Sequence, residues 1–252
     1  MKLRLIYSYN GAKFSGSQTQ PEGTAVEDAL ERALAKVGVF GGVLSSSRTD
    51  KGVHALRQVS TVEVGEWWRF RLDVFKREVN KHLCGDVVLG EVSEVSESFQ
   101  VRFDASARSY RYVLFHGKKS PFLEDFVFFC EKPNLKRLNL ALKAFVGEHD
   151  FSGFYKLGSD EKSPVRHVFE AFAYERGEMT FFKFKANGFL RSQVRLMVAN
   201  ALKAAQSEAN LSRFLSSFSP LTKMPAPASG LYLVRVFYVR NAENGKRKAE
   251  FA

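Results

Sequence analysis

The stretch Arg48-Thr49-Asp50-Lys51-Gly52-Val53-His54-Ala55 decides how this chain is read. It sets one carboxylate between two cations, follows it with a glycine, and comes after a small polar run, Ser45-Ser46-Ser47. Opposite charge nearby favours the ionised form of a carboxylate. An ionised Asp suits a nucleophile or a stabiliser of developing positive charge better than it suits a general acid. The ordinary reading is a solvated turn, because Ser, Asp, Lys and Gly are common turn residues. The surroundings of the stretch have to choose between the two.

On its N-terminal side, Leu3, Leu5, Tyr7 and Tyr9 alternate with Lys2, Arg4 and Ser8, the period of a half-buried strand. Asn10-Gly11 breaks that strand. Thr24, with Glu27 three residues on, predicts a capping box. The helix it opens has apolar positions at Val26, Ala29, Leu30, Ala33, Leu34 and Val37. On the C-terminal side, Val59 to Val64 reads as a β-branched strand. Leu72, Phe75, Val79 and Leu83 read as a helix, and Val87 to Val95 as a strand. The Asp50 stretch therefore falls in a loop between a helix and a strand, where sites are often carried on a rigid scaffold.

The second half has the same ingredients. Ser109 to Phe115 predicts an aromatic strand, and Leu135, Leu138, Leu142, Phe145 and Val146 a helix. Val165 to Tyr174 and Met179 to Lys185 predict a hairpin around Arg176-Gly177. A helix over Phe189 to Ala205 and a strand over Leu231 to Val239 complete it. The pattern is α/β of the α+β type: an N-terminal domain over 1–100, a C-terminal domain over 101–240, and a polar, charged tail at 241–252 expected to be disordered.

With 252 residues the chain can bury a real core. Its 38 Lys and Arg outnumber 27 Asp and Glu, and a net charge of +11 attracts polyanions, either nucleic acid or an anionic membrane. No uncharged run is longer than Val37 to Ser47, well short of the ~20 residues a spanning helix needs. Several of the 24 Phe interleave with Arg and Lys, a mixture suited to gripping phosphates and stacking bases. Cys84 and Cys130 form no close pair, and the histidines at 54, 82, 116, 149 and 167 are scattered. This argues against a disulfide framework and against a zinc site. The N-terminus lacks the apolar core of a signal peptide, so a soluble cytoplasmic protein is expected.

Phosphate-binding P-loop, dinucleotide, serine-elbow and zincin motifs are all absent. His149-Asp150 can be read as a catalytic pair or as packing at a helix end. Arg108, Tyr110 and Tyr112 share one face of the predicted aromatic strand. A tyrosine there can stack a base or simply make cross-strand contacts. In the predicted helix after Asn187-Gly188, Arg191 and Arg195 lie on the margin of the apolar stripe. There an arginine either snorkels or reaches inward to a carboxylate.

Taken in order, these segments resemble the tRNA pseudouridine synthase family that modifies positions 38 to 40 of the anticodon arm. The family motif Arg-Thr-Asp-x-Gly-Val-His-Ala is matched by Arg48 to Ala55, and Gln58-Val59 continues it. Tyr9 to Gly16 and Gln18-Thr19-Gln20 precede it in family order. Phe103-Asp104-Ala105, Arg108 to Tyr112, Gly147 to Phe151, Asn187 to Leu190, Val194-Arg195, Ala226-Pro227 and Gly230 to Leu233 follow it. The resemblance spans about residues 3 to 239.

The resemblance implies a pseudouridine-synthase-like fold of two similar α/β halves with mainly antiparallel sheets, flanking a basic RNA-binding cleft. It also implies a homodimer acting on the tRNA anticodon stem-loop without metal or cofactor. It assigns Asp50 as the nucleophile, Arg195 as its partner and Tyr110 as the residue stacked on the target base. Arg48, Lys51, His54 and Arg108 become the candidates for holding the RNA. Such chemistry needs an ionised carboxylate, because breaking a glycosidic bond puts positive character on the ribose. The target nucleotide must also leave its stack to reach Asp50. This chain departs from the family at Ser17 (usually Trp), Ser47 (usually Gly), Cys84 (usually Pro) and Ser192-Gln193 (usually His-Met). Those departures motivate a second reading, a synthase with a shifted or narrower RNA target. A third is an RNA-binding protein without catalysis.

Overall fold

The alternation in the first nine residues forms β1 (Lys2–Tyr9), in which Leu3, Leu5, Tyr7 and Tyr9 are buried and the residues between them are half-exposed. The computed structural model describes residues 1–83, 85–156, 158 and 163–239. Cys84 and the tail at 241–252 lie outside the described residues. The described residues form two compact units, one of Met1–Ser106 with the strand segment 233–239, the other of Ala107–Tyr232. The last strand thus belongs mostly with the N-terminal unit, where the sequence pattern had grouped it with the second half.

In the first unit β1 is flanked by β3 (His54–Glu63) and β4 (Val87–Val95), both antiparallel to it. The short β2 (Leu44–Ser45) pairs with β3, and β10 (Leu231–Tyr238) lies on the other edge of β3. Two amphipathic helices bury their apolar sides: α1 (Val26–Ala35) through Val26, Leu30, Ala33 and Leu34, and α2 (Leu72–His82) through Phe75 and Val79.

The predicted capping box does not form. The cap of α1 is Ala25, whose N–H is accepted by Asp28 Oδ2 at 2.8 Å. Thr24 instead bonds Ser15 Oγ at 3.0 Å. The first helical amides, of Val26 and Glu27, donate to the carbonyls of Gly16 and Ser17 at 3.1 and 3.0 Å. A preceding loop therefore satisfies the helix start, so the sequence-adjacent cap is not needed.

The released Glu27 is 7% exposed and accepts the Thr19 N–H at 3.0 Å through Oε2. Burial raises its pKa above the ordinary carboxylate range. A hydrogen bond from Ser45, the Thr19 amide and the Arg48 charge oppose that, while Glu31 adds to it. Beside it, Ser45 Oγ and Tyr7 OH meet Ser60 Oγ at 2.9 and 2.8 Å. Burial pushes the Tyr7 phenol up to about 12, so this cluster keeps its proton.

In the second unit, β5 (Ala105–Phe115), β9 (Met179–Ala186), β8 (Val165–Arg176) and β7 (Gly147–Asp150) follow one another in an antiparallel sheet. β6 (Phe128–Phe129) adds to β5 in parallel. α3 (Leu135–Lys143) packs on β8 and on α4 (Gln193–Ala205), which in turn packs on α5 (Glu208–Ser217). Phe145, Phe151, Phe154, Phe214 and Phe218 form one aromatic cluster, with rings such as Phe145 and Phe154 edge-to-face at 5.3 Å.

The helix expected to start at Phe189 begins at Gln193. Ser192 has φ 58°, and Gln193 Oε1 takes the Leu190 N–H at 2.8 Å, so Asn187 to Ser192 form a turn outside the helical ladder. α3 likewise ends at Lys143, short of Phe145 and Val146, whose amides close a tight last turn on Leu142 and Lys143. No helix among the described residues is long and apolar enough to cross a membrane.

The buried Glu27 yields a signed expectation. Its raised pKa means the folded chain holds that proton to higher pH than the unfolded chain, so ionising it costs stability as pH rises through the window above 4.5. Glu27→Gln removes the charge and keeps an oxygen for Thr19. Thermal unfolding should show the variant melting above the parent at pH 7, with the gap closing as pH falls to 4.5. Identical melting at both pH values would contradict this.

Candidate active site

Asp50 opens a tight turn in the first unit. Its carbonyl accepts the Val53 N–H at 3.1 Å, and Gly52 has φ 81°, the left-handed third position that a type II turn requires. Arg48 and Lys51 are exposed, Asp50 is half-buried, and Thr49 is buried between them. The stretch is thus a turn, as its composition suggests, but it is pinned from several sides.

Thr49 does most of the anchoring. Its hydroxyl meets Tyr9 OH at 2.8 Å, its N–H donates to Ser17 Oγ at 2.8 Å, and its carbonyl accepts the Ser17 N–H at 3.1 Å. Gly16 makes room for this pairing. It has φ 118°, and a Cβ there would sit 3.2 Å from the Thr49 carbonyl oxygen.

Upstream, Gln58 on β3 holds the serine run. Its Oε1 accepts from Ser46 Oγ at 3.0 Å and from the Val59 amide at 3.1 Å, and its Nε2 donates to the Ser47 carbonyl at 3.0 Å. Ser47 Oγ is buried and finds no hydrogen-bond partner among the described residues. Downstream, His54 is 2% exposed and its Nδ1 accepts the Gly11 N–H at 3.0 Å, so the ring carries its proton on Nε2. That buried ring ties the turn after β1 to the start of β3, a position that holds the scaffold together.

In the second unit, Tyr110 lies on the helix-covered face of β5 and is 7% exposed. Its ring meets Phe189 edge-to-face at 5.2 Å, so the turn before α4 helps orient it. Arg108, on the same face two residues earlier, donates from Nη1 to the Asn187 carbonyl at 3.0 Å. Arg195, half-buried in the first turn of α4, donates from Nε to the Ala226 carbonyl at 2.8 Å, and the Ala226 amide returns to the Arg195 carbonyl at 3.1 Å.

That arrangement depends on Asn200, one turn further along α4. Its Oδ1 accepts the Leu221 and Thr222 amides at 2.6 and 3.0 Å, and its Nδ2 donates to the Thr222 and Leu196 carbonyls at 3.0 and 2.8 Å. Tyr112 OH closes the same loop on the Pro227 carbonyl at 2.7 Å. Burial pushes the Tyr112 phenol upward, partly opposed by the charge of Arg195, so the hydroxyl stays a donor.

The structure therefore brings Asp50, Arg48, Lys51 and His54 together in one unit, and Tyr110, Arg108 and Arg195 together in the other. His149 and Asp150 act as packing. His149 packs tilted on Phe218 at 4.6 Å and contacts the Val146 carbonyl, and Asp150 caps the Ser152 amide at 2.7 Å. Residue-type reasoning assigned no role to Ser17, Gln58 and Asn200, whose partners are remote in sequence. The Ser17–Thr49 bond spans 32 positions. Among the described residues no group of three or more His, Cys, Asp or Glu is placed to hold a metal ion.

Comparison with known proteins adds the family. A family model described as tRNA pseudouridine synthase matches residues 141–239. A protein named tRNA pseudouridine synthase A from Campylobacter jejuni is 41% identical over 241 residues, covering 94% of this chain and 100% of the relative. Proteins of the same name from Helicobacter pylori and Wolinella succinogenes are each 36% identical over 243 residues, covering 94% of this chain and 99% and 94% of those relatives. A solved Cbf5–Nop10–Gar1 complex is similar over 79% of this chain and 45% of that one, at 12% identity and a TM-score of 0.36, too slight to argue from. Full-length similarity at this level, together with the Asp50 turn and its anchors, is decisive: the chain belongs to the tRNA pseudouridine synthase family.

Proposed function

We propose that this protein isomerises uridine to pseudouridine at positions 38, 39 and 40 of the tRNA anticodon stem-loop, with Asp50 as the nucleophile. The observation that carries the reading is the presentation of Asp50. The carboxylate follows a buried Thr49 that is hydrogen-bonded twice to Ser17 and precedes a glycine turn, in a chain that shares its family's motif. In the reaction the bond from C1′ of the ribose to N1 of uracil breaks, the base turns, and C1′ joins C5. N1 gains a proton and C5 loses one, so no oxidant or cofactor enters the balance.

Asp50 meets the positive character that develops at C1′. On this reading Arg195 pairs with Asp50 and Tyr110 stacks on the flipped uracil, the edge contact with Phe189 holding the ring ready. Arg48 and Lys51, exposed beside the nucleophile, and Arg108 hold phosphates. His54, buried against Gly11, is assigned to fixing the turn rather than to touching RNA. The net charge of +11 supplies the long-range attraction for tRNA in the cytoplasm.

Asp50→Asn is the direct test of the nucleophile. Pseudouridine formation on tRNA should fall at least about a thousandfold, while tRNA binding stays within a few fold of the parent and weakens steeply with salt. Isomerisation at the parent rate would remove Asp50 from the chemistry. The enzyme is also proposed to work as a homodimer, and sedimentation at micromolar concentration should then give twice the chain mass. A single-chain mass that retains full activity would contradict that.

A further inference from the structure

We infer that Ser17 is a positioning residue for the nucleophile, acting through Thr49; this rests on the function proposed for Asp50. Ser17 is 1% exposed, and three of its polar groups are engaged in a single line of contacts. Its carbonyl accepts the Glu27 amide at 3.0 Å in the first turn of α1. Its N–H donates to the Thr49 carbonyl at 3.1 Å, and its Oγ accepts the Thr49 N–H at 2.8 Å. The start of a buried helix is thus coupled to the residue preceding Asp50 through one residue, whose backbone meets α1 and whose backbone and side chain both meet Thr49.

The two Ser17–Thr49 bonds run in opposite directions across one peptide pair, as between two strand residues, except that a side-chain oxygen replaces a carbonyl. That substitution matters for Asp50. The Thr49 amide fixes the chain on one side of Thr49, and its carbonyl, bonded to the next peptide nitrogen, fixes the plane from which the Asp50 backbone departs. The hydroxyl of Thr49 on Tyr9 removes the remaining rotation. Without Ser17 Oγ, the buried Thr49 N–H has no acceptor, and the peptide before it is free to rotate toward water. A nucleophile displaced by about an ångström loses rate far more than its protein loses stability, on the order of a hundredfold at the upper end.

Neighbouring groups do not substitute for Ser17. Tyr9 already takes the Thr49 hydroxyl, Gly16 offers no side chain, and the Gln58 amide is committed to Ser46, Ser47 and Val59. The buried carboxylates of α1 are engaged as well, Glu27 by the Thr19 amide and Asp28 by the Ala25 amide. Ser17 is therefore the group that transmits the position of α1 to the Asp50 turn.

The test uses Ser17→Ala in the full-length protein and two readouts. Single-turnover pseudouridine formation should fall roughly ten- to a hundredfold with tRNA affinity within twofold of the parent. Amide exchange should rise in peptides covering residues 46–53 while those covering β1 and β4 keep the parent's protection. Asn139→Ala is the control for lost stability alone. Asn139 bridges the Ala173 carbonyl and amide at 3.0 and 2.7 Å in the other unit, so this variant loses two side-chain bonds, one more than Ser17→Ala, and should still keep the parent rate. An unchanged rate in Ser17→Ala, an equal fall in Asn139→Ala, or unchanged exchange at 46–53 would each overturn the inference. If the parent itself does not isomerise tRNA uridine, the proposed function fails, and the exchange measurement alone then decides whether Ser17 holds the loop.

Discussion

The paired hydrogen bonds between Ser17 and Thr49 are the constraint on which the site depends. On the proposed function Asp50 is a nucleophile carried on a loop, and it has to be held more rigidly than loops usually are. Here the loop is treated like an extra strand: a short piece of chain is bonded to a second piece, and that piece is bonded to the start of α1. Tyr9, at the end of β1, adds a buried hydroxyl contact, and Gly16 keeps the two backbones close enough for the bonds to form. Asp50 therefore inherits the rigidity of a helix and a sheet while itself remaining half-exposed.

The cost of this arrangement is visible in the core of the first unit. Under α1, the sheet face that carries Leu3, Leu5 and Val62 also carries Tyr7, Gln58 and Ser60, and the cluster continues through Ser45 to Glu27. Buried polar groups are tolerable when they are bonded, and all but one of those nearest the loop have a partner. The exception is Ser47 Oγ, at the position where the family usually has glycine. An unsatisfied buried hydroxyl costs about 1–3 kcal/mol. Departures from ordinary core chemistry tend to gather where function places other demands on a structure, and here they gather within a few residues of Asp50.

Legibility differed by the range of the interaction. Strand β1 could be read from alternation, because burial on one face of a sheet is a local pattern. The Asp50 stretch stood out because its charges are adjacent in sequence, and Tyr110 and Arg195 because of the family motif. The start of α1 was misread because Thr24 is a good cap in isolation, yet the carbonyls of Gly16 and Ser17 already satisfy the helix amides. The start of α4 was misread because nothing in Phe189 to Ser192 forbids a helix; the Gln193 side chain, which captures the Leu190 amide, decides it. Gln58 was marked by the family motif and Ser17 as a departure from it, but their roles, like that of Asn200, carried no signal, since a serine, a glutamine and an asparagine acquire them only when distant backbone arrives.

On the proposed function, the Asp50 presented by this anchored turn serves one reaction in the tRNA anticodon stem-loop. The most direct measurement is pseudouridine mapping on anticodon stem-loop transcripts bearing uridine at positions 38, 39 or 40, incubated with the purified full-length protein. Pseudouridine is expected at those positions, with no conversion of uridines elsewhere in the stem-loop. Conversion only at other positions, or none at all by protein that binds the RNA, would contradict it.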